Sequence, residues 1–381
     1  MSANQDIDLI KQYAPILWVH EHDAFLPEDC EIMEQVAVIR KSNAKTEPFK
    51  LNQLGDLTES ENYYMDIPGI DYDKFIIKSG HNGSELGPDC LSTFFRKKYA
   101  NNPVSEPEAR KPFPKYHART SEMKVTFRDG EPFSRYFENR DPGVFGNYKV
   151  IQYYFYYIFN DSWNKHIGDW DSTLELFIKE DNSRGYAIFH MHHVSWMVEF
   201  NGRPQKLTNW IEHWRKVEDK KQMGSIYHLA LHPFVFIARG AHGGYPTPGF
   251  SIHGLKPLVL NVIAQTDCRQ IGKICIFPDY HPITKGVIED KLKDAQIDTS
   301  KIRFIPWEEP IILDQQSWLK YKGLWGTKSK YNGWGGPTGP AQKPYWRMDQ
   351  RRFKSALGDA VKGEYKGKWI LKIFENWHGW R

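Results

Sequence analysis

The sequence has few cysteines and no motif that would pair them. Only four occur in 381 residues, at Cys30, Cys90, Cys268 and Cys275, and no two form a Cys-x-x-Cys pair. Zinc knuckles and disulfide frameworks both depend on closely and regularly spaced cysteines. The sequence therefore predicts ordinary thiols.

Several sequence motifs that mark particular classes of enzyme are also missing. The chain has no Gly-x-Ser-x-Gly nucleophile motif, no phosphate loop and no Rossmann fingerprint. The formal net charge of +4 is small for this length, so no nucleic-acid partner is expected. These absences exclude the best-marked hydrolase and nucleotide-binding classes.

Long apolar runs are absent as well. No stretch approaches the roughly 20 apolar residues of a membrane-spanning helix, and the N-terminus has no basic segment followed by an apolar run. The sequence thus predicts no transmembrane segment and a cytoplasmic protein by default. Release by a leaderless route remains open.

Aromatic residues, by contrast, are abundant. They make up 15% of the chain, and aromatic and β-branched residues favour strands. Strand-like runs recur at short intervals with few helical patterns, which predicts a mainly β fold. We expect one large domain over residues 1–381, with a β-sandwich core at 115–277 and short helices. Residues 1–114 and 278–381 would form long loop decorations, and the strand from Tyr13 would pack on the core.

The most informative stretch runs from Val150 to Asp171. Its first part is an aromatic run typical of a buried strand, and the polar segment that follows is predicted to be a loop carrying His166, Asp169 and Asp171. Divalent cations accept carboxylate and imidazole ligands. We therefore predict a divalent-cation site at this triplet, with Ca²⁺, Mg²⁺ or Mn²⁺ favoured over Zn²⁺. A turn whose aspartates cap backbone amides is the alternative.

Further histidines follow on neighbouring segments. A predicted strand from Tyr186 to Trp196, reached by a turn at 181–183, would place His190 and His192 on one face. His242 follows an apolar strand that starts at Leu231. We predict that these three histidines are catalytic acids or bases facing the metal; hydrogen-bonded core histidines are the alternative. The polar group at 20–23 could also approach a metal, but it is more typical of a surface loop.

Helical spacing predicts short helices at 209–217, 287–295 and 369–377. The last lies in a basic, aromatic tail and is expected to dock on the protein, with membrane binding as the alternative. The proline-rich segment 103–114 is predicted to be an extended connector.

Several motifs together resemble a known family. Tyr13-Ala14-Pro15, the aromatic strand from Gln152, the His166-to-Asp171 segment, the run from His232 to His242 and Leu324-Trp325-Gly326 resemble the fungal and plant vacuolar-protein-sorting-type family. The likeness spans about Tyr13 to Trp346. That family usually has glutamate where this chain has Asp171.

A more distant similarity is to the necrosis- and ethylene-inducing cytolysins. His166, Asp169 and Asp171 fall on that family's cation-binding motif, and His242-Gly243-Gly244-Tyr245 matches a later one. The similarity implies a β-sandwich that holds a divalent cation and engages membrane sphingolipid headgroups.

Two classes of function follow from these patterns. The first is a divalent-metal-dependent enzyme of the hydrolase type, in which the cation activates water and a histidine transfers the proton. The second is a non-enzymatic protein that binds a glycolipid or a glycan through a bound cation. A membrane-active toxin belongs to this second class. The expected partner is a small molecule, a glycan or a lipid headgroup. The surplus of histidines favours the enzyme.

Overall fold

The computed structural model describes residues 3–20, 23, 25–31, 33, 37–41, 49–50, 63–66, 114–126, 138–139, 141–160, 166–181, 184–191, 194–200, 228–229, 231–246, 249–253, 265–269, 274–279, 283–294, 297–314, 316–326, 337–342 and 353–354. Strands dominate the regular structure of these residues, which confirms the predicted mainly β class.

The helices and strands are, in chain order, α1 (Ala3–Gln12), β1 (Ile16–Val19), β2 (Val38–Lys41), β3 (Phe49–Lys50), β4 (Tyr63–Asp66), β5 (His117–Val125), β6 (Gly146–Asn160), β7 (His166–Lys179), β8 (Gly185–Met191), β9 (Val194–Phe200), β10 (His228–Leu229), β11 (His232–Ile237), β12 (Gly244–Tyr245), β13 (Gly249–His253), β14 (Gln265–Arg269), β15 (Ile274–Phe277), α2 (Lys285–Asp294), β16 (Arg303–Pro306) and β17 (Ile311–Ile312). Three short 3-10 helices lie at Pro142–Val144, Thr299–Lys301 and Ser317–Lys320.

Two large sheets carry most of these strands. The mixed sheet has the order β10-β11-β1-β15-β16, with β12 also paired to β11, and the long-strand sheet has the order β17-β5-β6-β7-β8-β9. Two small sheets, β3-β2-β4 and β13-β14, complete the pairing. Strands β1, β16 and β17 belong to the large sheets, so the sheets extend beyond the core predicted at 115–277.

The aromatic run forms the centre of the long-strand sheet. Strand β6 is 15 residues long and buried on both faces through most of its length, as a continuous apolar run predicts. It pairs with β5 on one side and β7 on the other, with a register shift between Phe155 and Tyr157. This irregularity lies opposite the segment that was expected to bind a metal.

One hydrophobic cluster contains residues from both large sheets. It takes Leu17 and Val235 from the mixed sheet and Tyr153, Leu174 and Phe189 from the long-strand sheet. Strand β12 lies against β7 and β8. The sheets therefore share a core, while a face-to-face sandwich stays a prediction.

The structure corrects two sequence predictions. The segment with His166 and Asp169 is the beginning of β7 rather than a loop, because it pairs with the end of β6. The strand predicted from Tyr186 to Trp196 is instead the hairpin β8–β9. A turn at Glu180 and Asp181 follows β7, as predicted, while residues 182–183 lie outside the described part of the chain. The helix predicted at 287–295 is confirmed as α2 up to Asp294, the last residue described there.

Other predictions concern residues outside the described part of the chain. These are the helices at 209–217 and 369–377 and the connector from 103 up to residue 113. Among the residues that the structure does describe, no helix has the length and apolar character needed to cross a membrane.

Candidate functional site

Asp169 lies on β7 inside the protein. It sits opposite Tyr157 on β6, and its side chain is fully buried. Asn160, at the end of β6, donates a hydrogen bond from Nδ2 to Asp169 Oδ2 at 3.1 Å. One oxygen of the buried carboxylate therefore has a neutral donor.

His242 reaches Asp169 from the turn that follows β11. The His242 amide donates to the Ala238 carbonyl, and the Ala238 amide donates to the Gly243 carbonyl. This tight turn holds His242 at a φ of 54°, a conformation that residues other than glycine seldom adopt. The imidazole then stacks on Tyr157, with ring centroids 3.9 Å apart and planes 2° apart.

Asp23 completes this group from the segment after β1. His242 Nδ1 lies 3.3 Å from Asp169 Oδ2, and His242 Nε2 lies 3.2 Å from Asp23 Oδ1. The Gly240 amide donates to Asp23 Oδ2 at 3.2 Å. We call Asp23, His242 and Asp169 the Asp–His–Asp bridge. It ties β7 to the segments that follow β1 and β11.

The bridge is an ion pair between one cation and two anions. Burial lowers the pKa of His242, but the charges and hydrogen bonds of Asp23 and Asp169 outweigh it and raise this pKa to about 9. The ring is therefore protonated at neutral pH, and each ring nitrogen donates to one carboxylate. Because the carboxylates contact different nitrogens, the geometry suits an imidazolium better than a metal ion between them.

Two of the other predicted site residues, His166 and His190, have described contacts elsewhere. His166 Nδ1 lies 3.3 Å from the Ile167 carbonyl. The side chain of Asp171 and the whole of His192 lie outside the described residues. Of the six predicted site residues, the structure thus brings together Asp169 and His242.

His190 belongs to a different polar group on the long-strand sheet. Its Nε2 lies 2.6 Å from Glu175 Oε2, and Gln152 donates from Nε2 to the other oxygen of Glu175. Arg119 in turn donates from Nε to Gln152 Oε1 at 2.7 Å. These four residues form a polar row across β5 to β8. It orients His190 through a buried carboxylate.

A third group contains possible metal ligands that sequence reasoning missed. Asp29, Cys30 and His117 each place one ligand atom so that all three atoms lie within 4.8 Å of one another. It is the one such group of histidine, cysteine and carboxylate side chains found across the described ranges. The Cys30 amide donates weakly to His117 Nε2 at 3.4 Å, and His117 Nε2 lies 4.0 Å from Asp29 Oδ1. We call these residues the Asp–Cys–His group.

The electrostatics of this group keep its imidazole neutral. Burial lowers the pKa of His117 to about 4, against the raising effect of the Asp29 charge. Cys30 and His117 are buried, while the Asp29 side chain is 29% exposed. Asp29 is also 3.5 Å from the Lys115 ammonium, which lies at a similar distance from Glu308. A neutral imidazole nitrogen can bind a metal in place of its weak hydrogen bond from the Cys30 amide, and Asp29 forms the solvent side of the group.

Aromatic side chains surround the Asp–Cys–His group. His117 packs edge-on against Trp170, with centroids 5.1 Å apart, and Tyr156 packs on the same indole at 4.7 Å. Trp318 and Trp325 pack on Trp170 as well. All five tryptophan side chains that the structure describes are at most 9% exposed. They are core residues and supply no exposed rim for a glycan.

His190 is distant from this group. His117 pairs with Tyr154, Tyr154 with Thr173, and Thr173 with His190. Neighbouring strands are about 4.8 Å apart, so the backbones of His117 and His190 are separated by roughly 14 Å. His190 therefore does not reach an atom bound by His117.

No spacing motif could have revealed the Asp–Cys–His group. His117 follows Cys30 by 87 positions, and the two meet because the segment before β2 is held against the long-strand sheet. The sequence contains only two weak indications of this group. Cys30 adjoins Asp29, and His117 begins a strand. Neither feature is specific alone.

Comparison with known proteins identifies no relative. No protein family, curated protein or solved structure matches the chain. The resemblances to the vacuolar-protein-sorting-type family and to the cytolysins therefore stay predictions, and function has to be argued from the residues themselves.

Proposed function

We propose that the protein is a divalent-metal-dependent hydrolase whose metal is bound by Asp29, Cys30 and His117. One observation carries the proposal: a carboxylate oxygen, a thiol sulfur and an imidazole nitrogen from separate parts of the chain converge within 4.8 Å. Such convergence of three different ligand types matches the donor set of a transition-metal site.

The donors favour zinc over the harder cations. Thiolate and imidazole are the common protein ligands of Zn²⁺, whereas Ca²⁺ and Mg²⁺ take oxygen ligands. Zinc binding would displace the proton of Cys30 and leave Asp29 to supply a second negative charge. The proposal therefore differs from the sequence-based expectation in both the metal and its ligands.

The number of ligands supports catalysis. Structural zinc sites usually have four protein ligands, while catalytic sites have three and keep one position for water. Here three ligands are present within the described residues, and the partly exposed Asp29 gives the group a side facing solvent. Zinc held by these residues would lower the pKa of a bound water to about 7 and so would supply a nucleophile at neutral pH.

The acid–base roles predicted for the histidines need revision under this proposal. The separation of His190 from His117 is too large for a direct proton transfer, which needs about 3 Å. His242 is held between two carboxylates, and those contacts occupy both ring nitrogens. A metal-bound hydroxide does not need either residue as its base.

Calorimetric titration of the chelator-stripped protein tests the metal assignment. We expect Zn²⁺ to bind with a stoichiometry of one, more tightly than Ca²⁺, Mg²⁺ or Mn²⁺. The Cys30→Ser variant should lose more than about a hundredfold in zinc affinity, since even residues that only support ligands cost 10- to 100-fold. The matched control is Cys275→Ser, which alters another buried free thiol and should leave zinc binding intact.

Catalysis is tested separately with a panel of activated carboxylic and phosphate esters. The zinc-loaded protein should hydrolyse at least one class, and the stripped protein and Cys30→Ser should not. Absence of zinc binding, or equal losses of zinc affinity in Cys30→Ser and Cys275→Ser, would contradict the metal assignment. Zinc binding without turnover on any ester would remove the hydrolase assignment.

A further inference from the structure

Tyr156 stands beside the Asp–Cys–His group on the aromatic strand. Its backbone carbonyl accepts a hydrogen bond from the Glu28 amide at 2.9 Å, which holds the segment with Asp29 and Cys30 against β6. Its ring and the His117 ring both pack on Trp170. Tyr156 and His117 are therefore packed on one indole, and the segment with Asp29 and Cys30 is hydrogen-bonded to the Tyr156 backbone.

Within the described part of the chain, the Tyr156 hydroxyl has no hydrogen-bond partner although the residue is fully buried. Buried polar groups in folded proteins are nearly always hydrogen-bonded, so a hydroxyl left in this condition calls for an explanation. Burial first, and then the charges of Cys30, Glu28 and Asp169, raise its pKa well above the ordinary value. The phenol O–H is a hydrogen-bond donor, and its ring shares the Trp170 indole with the ring of His117.

A metal at the Asp–Cys–His group would bind an oxygen atom that can accept a hydrogen bond from the Tyr156 hydroxyl. With three protein ligands, the remaining position takes water, hydroxide or an oxygen of a substrate. An anionic oxygen there needs a donor in addition to the metal, as in oxyanion holes. The phenol O–H of Tyr156 is a donor that can supply this hydrogen bond.

We propose that the Tyr156 hydroxyl donates a hydrogen bond to an oxyanion or small anion bound at the open coordination position of this metal centre, an inference that rests on the proposed function. The ligand class is thus an anionic or strongly polarised oxygen, such as a carboxylate or the tetrahedral oxyanion formed from an ester. Tyr156 favours such ligands over neutral ones because a hydrogen bond to an ionised acceptor is stronger than one to a neutral acceptor.

Azide binding to the cobalt-loaded protein tests this role without a known substrate. Co²⁺ replaces zinc as a coloured probe, its visible absorption reports azide at the open position, and azide is a small anion that accepts a hydrogen bond. The Tyr156→Phe variant should bind cobalt as wild type does and bind azide about tenfold more weakly, the effect of one hydrogen bond to a charged group.

Tyr157→Phe is the matched control. Among the described residues the Tyr157 hydroxyl is also buried without a partner, but the Tyr157 ring stacks on His242 of the Asp–His–Asp bridge, so azide affinity should be unchanged. Cobalt binding with equal azide affinity in wild type and Tyr156→Phe overturns the role of Tyr156 alone. Loss of cobalt binding in Tyr156→Phe also overturns it, since the phenol would then support the metal. Failure of wild type to bind cobalt overturns the proposed function together with this inference.

Discussion

Replacing His242 with asparagine removes the one cation of the Asp–His–Asp bridge. Asparagine is chosen because it tolerates the left-handed backbone that His242 adopts at a φ of 54°. The variant therefore tests charge more than backbone strain. Two buried carboxylates would remain without their imidazolium, and breaking a buried ion pair in this way costs about 3 to 5 kcal/mol of unfolding free energy.

The pKa of His242 predicts how this stabilisation depends on pH. The folded-state value of about 9 lies above the ordinary histidine value of about 6.5, so folding takes up a proton. The stabilisation is complete below pH 6.5, declines as the pH rises, and is lost above pH 9. Its size is about 3 kcal/mol, since one pKa unit corresponds to about 1.4 kcal/mol.

Urea unfolding at pH 6 and pH 9.5 measures the effect. The difference in unfolding free energy between wild type and His242→Asn should be about 3 kcal/mol larger at pH 6 than at pH 9.5. His232→Asn is the control, because burial lowers the pKa of His232 to about 4 and its contribution changes with pH in the opposite direction. An equal difference at both pH values for His242→Asn would refute the ion bridge.

Two further stability predictions follow from the long-strand sheet. Gly168→Ala should cost about 3 kcal/mol or more in thermal or urea unfolding, because Gly168 has a φ of 79° and a Cβ there would overlap the backbone oxygen of Trp325. Gly286→Ala, whose Cβ would make only an ordinary contact with Thr284 Oγ1 at 3.9 Å near the start of α2, should be neutral or stabilising by about 0.5 kcal/mol; similar losses in both variants would contradict this. Glu175→Gln should cost about 2 kcal/mol, because it removes the buried charge at the centre of the polar row, whereas the exposed Glu180→Gln should change stability by less than about 0.5 kcal/mol.

Local patterns were sufficient for several strands, β6 among them, and for part of the bridge. The aromatic run predicted β6 because its residues favour buried strands, and the polar residues after it led to Asp169. His242 was recognised because it follows an apolar strand and enters a glycine-containing turn. The structure brings these two residues within hydrogen-bond distance, although their pairing favours an ion bridge over the metal site that was predicted.

Long-range pairing accounts for what was missed. Asp23 was assigned to a surface loop because no local feature shows that β1 pairs in parallel with β11, more than 200 positions away. The same holds for His117 and Cys30, whose approach depends on how the segment before β2 crosses the long-strand sheet. The bulge opposite Tyr156 was also invisible in the sequence, and it changes which residues near Asp169 share a face.

The most direct test of the account compares Asp29→Asn with Asp169→Asn in cobalt binding. Each variant removes one carboxylate charge and keeps the side-chain shape, and the thiolate-to-cobalt absorption band reports binding through Cys30. The account predicts that Asp29→Asn weakens cobalt binding strongly, while Asp169→Asn binds cobalt as wild type does but unfolds more easily. Loss of cobalt binding in Asp169→Asn with retention in Asp29→Asn would contradict it and return the metal to the segment from His166 to Asp171.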